Sequence, residues 1–231
     1  MTGDARGAPP AAGPPTVAGP RRAAEGRSGP EPASASAPGS EPASAPGPAA
    51  GSPPGPVSEP ASAADLAAVA AQLGRPPRGT RAVAHRCPCG LPDVVETTPR
   101  LADGTPFPTL YYLTCPRATA ACSRLESAGL MRQMAERLAA DPELAARYRA
   151  AHEHYLTRRE AIGHVPEIAG VSAGGMPGRV KCLHVHLGHA LAAGPGVNPF
   201  GDEVRERIAP WWTGGPCVPP AAGLTDAPAA G

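Results

Sequence analysis

Residues 81–114 read RAVAHRCPCGLPDVVETTPRLADGTPFPTLYYLT. The first six, RAVAHR, alternate small apolar with polar side chains, the period of a strand with one buried face. Cys87-Pro88-Cys89-Gly90 then reads as a turn. Residues 93–97 (DVVET) form a second strand, and 109–114 (TLYYLT) have the β-branched and aromatic content of a third. Between them, 99–108 is a loop with Asp103-Gly104 as its turn signal. Three short strands on short connections predict a small antiparallel sheet.

Helical patterns flank this segment. Upstream, Asp65 is placed to cap a short helix, LAAVAAQL, that stops at Gly74. Downstream, 117–128 is helical and ends at Gly129, and 130–139 continues the pattern. Asp141 and Pro142 restart it as N-cap and first helical residue of a long helix reaching about residue 162. A Gly-rich loop, 163–178, precedes a helix predicted over 179–193, closed by Gly194. A short last helix is predicted over 202–209, with Asp202 as its cap. The expected fold class is α+β: a small antiparallel sheet of about three strands packed with several helices, between disordered N- and C-terminal tails.

Composition sets the expected boundaries. The chain has 231 residues, with 33 Pro and 28 Gly. Residues 1–64 are dominated by Ala, Pro, Gly and Ser and hold no aromatic side chain. Such a segment lacks the apolar surface to offset the entropy of ordering it, so it reads as a disordered tail. Residues 65–212 are expected to form one domain, and 213–231 a second disordered tail. A net charge of +1 gives no electrostatic case for nucleic acid or an anionic membrane. No stretch resembles a signal peptide or a membrane span, so a cytoplasmic location is expected. In that compartment the six cysteines read as thiols or metal ligands rather than disulfides.

The candidate functional segment is 172–202, SAGGMPGRVKCLHVHLGHALAAGPGVNPFGD. It holds the only lysine of the chain, Lys181, and the only asparagine, Asn198. In a chain otherwise built from Ala, Pro, Gly and Arg, their survival side by side marks a place where those side chains are needed. Cys182, His184, His186 and His189 follow within eight positions. On a helix, Cys182, His186 and His189 share one face, while His184 points toward the apolar side. Tetrahedral zinc takes four N or S ligands, commonly two from a turn and others from a helix. The expected set is Cys89, Cys115, Cys182 and His189, with Cys87, His184 and His186 as alternates and zinc, or iron, as the metal. Cys89 is preferred to Cys87 because it sits deeper in the turn beside Gly90. The competing reading keeps these cysteines as structural thiols with unrelated histidines.

The loop SAGGMPG leading into a helix also presents free N–H groups and a positive dipole end. Arg179 and Lys181 add charge, with Asn198 within reach, so a small anion is the expected partner. The spacing is not that of a Walker loop. A further loop group, Arg86, Arg100 and Asp103 with Thr105 to Pro108, reads as a packed crossover.

Several strings resemble one bacterial family. RCPCGLPDVVETTPRLADGTPFPTLYYLTCP (86–116), SRLESAGLM (123–131), DPELAARYRAAHEHYL (141–156), SAGGMPGRVKCLH (172–184) and GPGVNPFGD (194–202) are similar to domain of unknown function 501. That family is found chiefly in high-GC Gram-positive bacteria, and the resemblance implies membership without a mechanism. It implies an aliphatic residue where this chain has His186, and that relatives carry His at the position of Cys115. Gene neighbours of the family implicate cell division. Three function classes stand at this point. The preferred one is a cytosolic metal-binding protein with an adjacent anion loop. The second is a hydrolase or transferase acting on a small phosphorylated or carboxylated substrate, using a metal or a Cys182–His189 pair. The third is an interaction module of the division apparatus.

Overall fold

The centre of the sheet is the hairpin read from the sequence. In the structure, a computed structural model that describes residues 58–219, β2 (Thr80–Arg86) pairs antiparallel with β3 (Pro92–Thr97). The turn closes when the Cys87 N–H donates to the Leu91 carbonyl at 2.9 Å and the Gly90 N–H to Cys87 at 2.8 Å. Gly90 has φ +87°, a left-handed conformation open to glycine. β4 (Tyr111–Leu113) lies on the far side of β3 and is shorter than the expected strand. A strand that composition concealed, β1 (Glu59–Pro60), pairs with β2 and completes the order β1-β2-β3-β4.

Every residue of β3 is buried, so both faces of the sheet are covered. α1 (Ala63–Leu73) packs against β3, and α5 (Leu183–Ala193) packs across β2, β3 and β4. α2 (Pro116–Ser127) and α6 (Pro199–Ile208) pack on α5, α4 (Pro142–Glu160) reaches it through Tyr148 and His154, and α3 (Leu130–Ala140) packs on α2 and α4; α5 is buried along most of its length. Tyr148, Tyr155, Phe200, Leu183 and Leu187 fill the core between them. Arg159, 1% exposed, is buried at the end of α4. Its guanidinium donates to the carbonyls of Val171 at 2.6 Å, Ile168 at 2.7 Å and Pro108 at 3.2 Å, which pins two long loops to one helix.

Helix caps fall as expected at α4, where Asp141 accepts from the N–H groups of Glu143 and Leu144. Elsewhere they differ. The cap of α1 is Ser62, and Asp65 is the third helical residue, returning a bond to the Ser62 N–H at 3.0 Å in a reciprocal capping box. α6 begins at Pro199 rather than Asp202, because Asn198 caps it through the Gly201 N–H at 3.0 Å. Asp202 instead accepts from the Gly196 N–H.

The largest correction concerns α5. It begins at Leu183, not at residue 179. Hydrogen bonds from the Arg179 N–H to Gly175 (2.9 Å) and from the Lys181 N–H to Gly174 (2.7 Å) hold this stretch as a loop. Cys182 then adopts φ +53°, a conformation that interrupts any helix and that side chains rarely take.

The packed chain is longer at both ends than residues 65–212. Ser58, Glu59 and Ser62 bond to Glu96, Arg86 and Asp65. At the other end, Arg117 donates to the carbonyls of Gly214, Gly215 and Pro216. The remaining parts of the expected tails lie outside the described residues. Among the described residues, no helix is long and apolar enough to cross a membrane.

Candidate metal centre

The late start of α5 decides which side chains meet. Cys182 stands just before the helix, half a turn from His184, and α2 brings Glu126 alongside both. The His184 Nδ1 lies 3.2 Å from Glu126 Oε1 and 3.7 Å from the Cys182 thiol. One ligand atom from each of Glu126, Cys182 and His184 falls within 4.8 Å of the other two, the one such His, Cys or carboxylate group among the described residues. The opposite edge of the imidazole is also fixed, with Nε2 3.1 Å from the Thr119 carbonyl. A carbonyl only accepts, so Nε2 carries a proton. Nδ1 therefore turns its lone pair toward a carboxylate and a thiol. The three groups can be held together by the thiol's own proton, by a metal ion, or by a proton on Nδ1. With the proton there, hydrogen bonding to the thiol and the charge of Glu126 raise the pKa of His184. The same hydrogen bond lowers that of Cys182.

The N-terminus of α5 is occupied as well. Its first N–H, on Leu183, donates to Glu126 at 2.6 Å. The anion expected at this helix end from outside is thus supplied by the protein's own carboxylate, and Lys181 and Arg179 lie off the helix end.

His186 and His189 point the other way, into the core, both with 0% exposure. Asn198 joins them. Its amide nitrogen is 3.4 Å from His186 Nδ1 and 3.2 Å from His189 Nδ1, and the amide gives one hydrogen to each. The outer nitrogens are then donors: His186 Nε2 to the Gly174 carbonyl at 3.1 Å, and His189 Nε2 to His154 Nδ1 at 2.9 Å. Tyr148 donates to the Arg179 carbonyl at 3.0 Å and receives from His186. Every ring nitrogen of His186 and His189 has a partner with both rings neutral. Burial lowers the pKa of His186 to about 4 and that of His189 well below its ordinary value. This is a closed structural network. It uses Asn198 as a cap and a double donor, away from any open anion site.

The expected ligand set Cys89, Cys115, Cys182 and His189 is not assembled. Cys87 and Cys89 contact each other in the hairpin turn, where Cys87 is the more buried, contrary to the expected order. Cys115 ends at α2 beside Cys217, and burial pushes its thiol up to about 11. His189 sits among Tyr111, Tyr155 and His154. Of the expected residues, Cys182 and His184 come together. The helix-face argument failed because Cys182 is not on the helix. Glu126 was missed because its role depends on how α2 lies against α5, which no local pattern records. Arg86, Arg100 and Asp103 pair with Asp65, Glu167 and Arg78 and form no common site.

Arg179 and Lys181 do line a cleft, of about 460 Å³, together with Arg149 from α4.

A family model described as a protein of unknown function, DUF501, matches residues 83–206. The chain belongs to the DUF501 family. No curated protein and no solved structure matches it. The DUF501 region contains Glu126, Cys182, His184, the buried Asn198 network and the three cations of the cleft. It excludes β1, α1 and Cys217, so the Cys115–Cys217 contact has one partner outside the DUF501 match.

Proposed function

We propose that the protein binds one divalent transition metal, most suitably zinc, through Cys182, His184 and Glu126. The observation that carries this reading is the orientation of His184. The Thr119 carbonyl fixes Nε2 as the protonated nitrogen, and Nδ1 faces a thiol and a carboxylate. Histidines that ligate metals commonly donate their other N–H to such an acceptor, which sets the tautomer and the ring plane. Ligands around tetrahedral zinc lie about 3.3–3.8 Å apart, given metal–ligand bonds of about 2.0–2.3 Å. The two His184 spacings, 3.2 and 3.7 Å, are close to that range, and the Glu126 and Cys182 ligand atoms lie within 4.8 Å of each other. A mixed sulfur, nitrogen and oxygen set suits zinc better than a hard cation such as magnesium.

Three protein ligands leave a fourth position open, the arrangement of catalytic rather than structural zinc. That favours, as the second reading, a hydrolase acting on a small phosphorylated or carboxylated substrate. In it the metal would lower the pKa of a bound water.

The test is elemental analysis of untagged protein after dialysis with zinc. Near-stoichiometric metal is expected, lost in Cys182→Ser and in His184→Ala, and retained in Cys89→Ser. Wild-type protein that stays metal-free, or equal zinc in wild type and Cys182→Ser, overturns the proposal. Turnover of a phosphoester and acyl-ester panel by the zinc-loaded protein, absent in Cys182→Ser, separates the enzyme reading from simple binding.

A further inference from the structure

We infer that the cleft between α3, α4 and residues 177–181 binds a small phosphate monoester that carries an apolar group. This site is separate from the metal centre and does not depend on it.

Three cations line the cleft: Arg149 from α4, and Arg179 and Lys181 from the loop before α5. None makes an ion pair among the described residues. No carboxylate lines the cleft, whose other walls include Leu138, Ala139 and Ala145. Gathering like charges without a counter-charge costs electrostatic energy, and a bound anion recovers it. The cleft holds about 460 Å³, in the range of small-molecule sites.

The loop that presents two of these cations is held from beneath. Gly174 and Gly175 have φ of +70° and +86°. A Cβ on Gly174 would come within 2.8 Å of the His186 ring, and one on Gly175 within 2.7 Å of the Arg179 carbonyl. The Lys181 N–H bonds to Gly174, and the Arg179 carbonyl accepts from Tyr148. The backbone that carries both cations is therefore fixed on the buried Tyr148 and His186, although the side chains are exposed. A backbone already fixed loses less freedom on binding than a mobile loop does.

The lining selects the ligand. Two guanidinium groups and an ammonium suit a phosphate dianion better than a single carboxylate. The Leu and Ala wall suits an apolar substituent on that phosphate.

The probe is phenyl phosphate, titrated by calorimetry into the full chain at low salt, with inorganic phosphate and benzoate as comparisons. Phenyl phosphate should bind more tightly than either, and salt should weaken it. Arg149→Ala and Lys181→Ala should each cost about tenfold in affinity, the loss of one charge-assisted bond. Lys181→Arg tests the need for a compact charge, and should weaken binding while keeping the melting temperature. Arg132→Ala, an exposed cation outside the cleft, should bind as wild type does. The inference is overturned if phenyl phosphate does not bind at millimolar concentration, or if Arg132→Ala costs as much as Lys181→Ala. It is also overturned if binding is seen only to phosphatidic acid vesicles, since that assigns the cations to a lipid surface. Cys182→Ser should abolish metal binding and leave phenyl phosphate binding intact. If it abolishes both while Arg149→Ala abolishes neither, the phosphate sits on the metal and the cleft is not its site.

Discussion

Gly201 lies against the backbone of His186: a Cβ built on Gly201 would fall 2.1 Å from the His186 carbonyl oxygen. α6 thus crosses α5 with backbone on backbone, at the point where Asn198 turns into the histidine pair.

That crossing leaves no room for a methyl group, and the nearest obstacle is a helix carbonyl that cannot rotate away. Gly201→Ala should destabilise the protein by about 3 kcal/mol or more, the upper range for overpacking. Urea melts provide the measure. A loss under about 1 kcal/mol would mean that α6 slides freely on α5.

Asn198→Ala removes two donors and a helix cap at once. It leaves the Nδ1 atoms of His186 and His189 buried without partners. Each orphaned acceptor costs about 1–3 kcal/mol and the cap about 1 kcal/mol. Asn198→Asp should behave differently. A carboxylate offers acceptors where the imidazoles need donors, so each ring is driven to take up a proton. The Asp variant should lose stability at pH 8 and recover part of it at pH 6. A variant equally destabilised at both values would rule out the donor assignment.

The neutral histidines predict an acid-sensitive fold. His186 ordinarily titrates at 6.5 but is held at about 4 in the folded chain. Between these values the unfolded state binds more protons, so stability falls as pH drops from about 6.5 toward 4. The slope is about 1.4 kcal/mol per pH unit for each such histidine, and His189 adds to it. His184 acts oppositely, since its raised pKa contributes stability below its ordinary value that is lost as pH rises through the folded one. It is partly exposed and outnumbered by the two buried rings. Denaturation midpoints at pH 7, 6 and 5 should fall in that order, and a flat profile would contradict the neutral network.

Arg159 is buried with three carbonyl partners on two loops. Lysine keeps the charge but cannot fork toward Ile168, Val171 and Pro108 together. Arg159→Lys should cost about 2–4 kcal/mol and raise amide exchange at residues 163–172 before the sheet opens. Uniform exchange rates across the fold would show that Arg159 does not hold these loops.

The sheet and most helices were legible because their signals are local. Alternation in 81–86, the Asp141-Pro142 cap and the Gly129 and Gly194 stops each act within a few residues. β1 was hidden because two residues, one of them proline, carry no period. The start of α5 was misplaced because what stops it is the packing of Gly174 and Gly175 under Tyr148 and His186. That one error carried into the site. It put Cys182 on a helix face with His186 and His189, whereas Cys182 precedes the helix and turns to His184 and Glu126. Segment 172–202 supplies two members of the Glu126, Cys182 and His184 cluster, together with Lys181. Its partners Glu126 and Arg149 are ordinary charged residues in charged helices, distinguished only by tertiary position.

β1 is short, yet it occupies the edge of β2, a seven-residue strand with three consecutive buried residues. Its proline lacks an N–H and its glutamate is paired with Arg86, so the outer rim offers little for another strand to join. The opposite rim, β4, is three residues long and runs directly into α2. The molecule therefore guards itself against strand-to-strand association with residues that look like the end of a low-complexity leader. Trimming the chain to Ala64, as its composition invites, would bare β2 and leave a sheet edge open to pairing with a second copy.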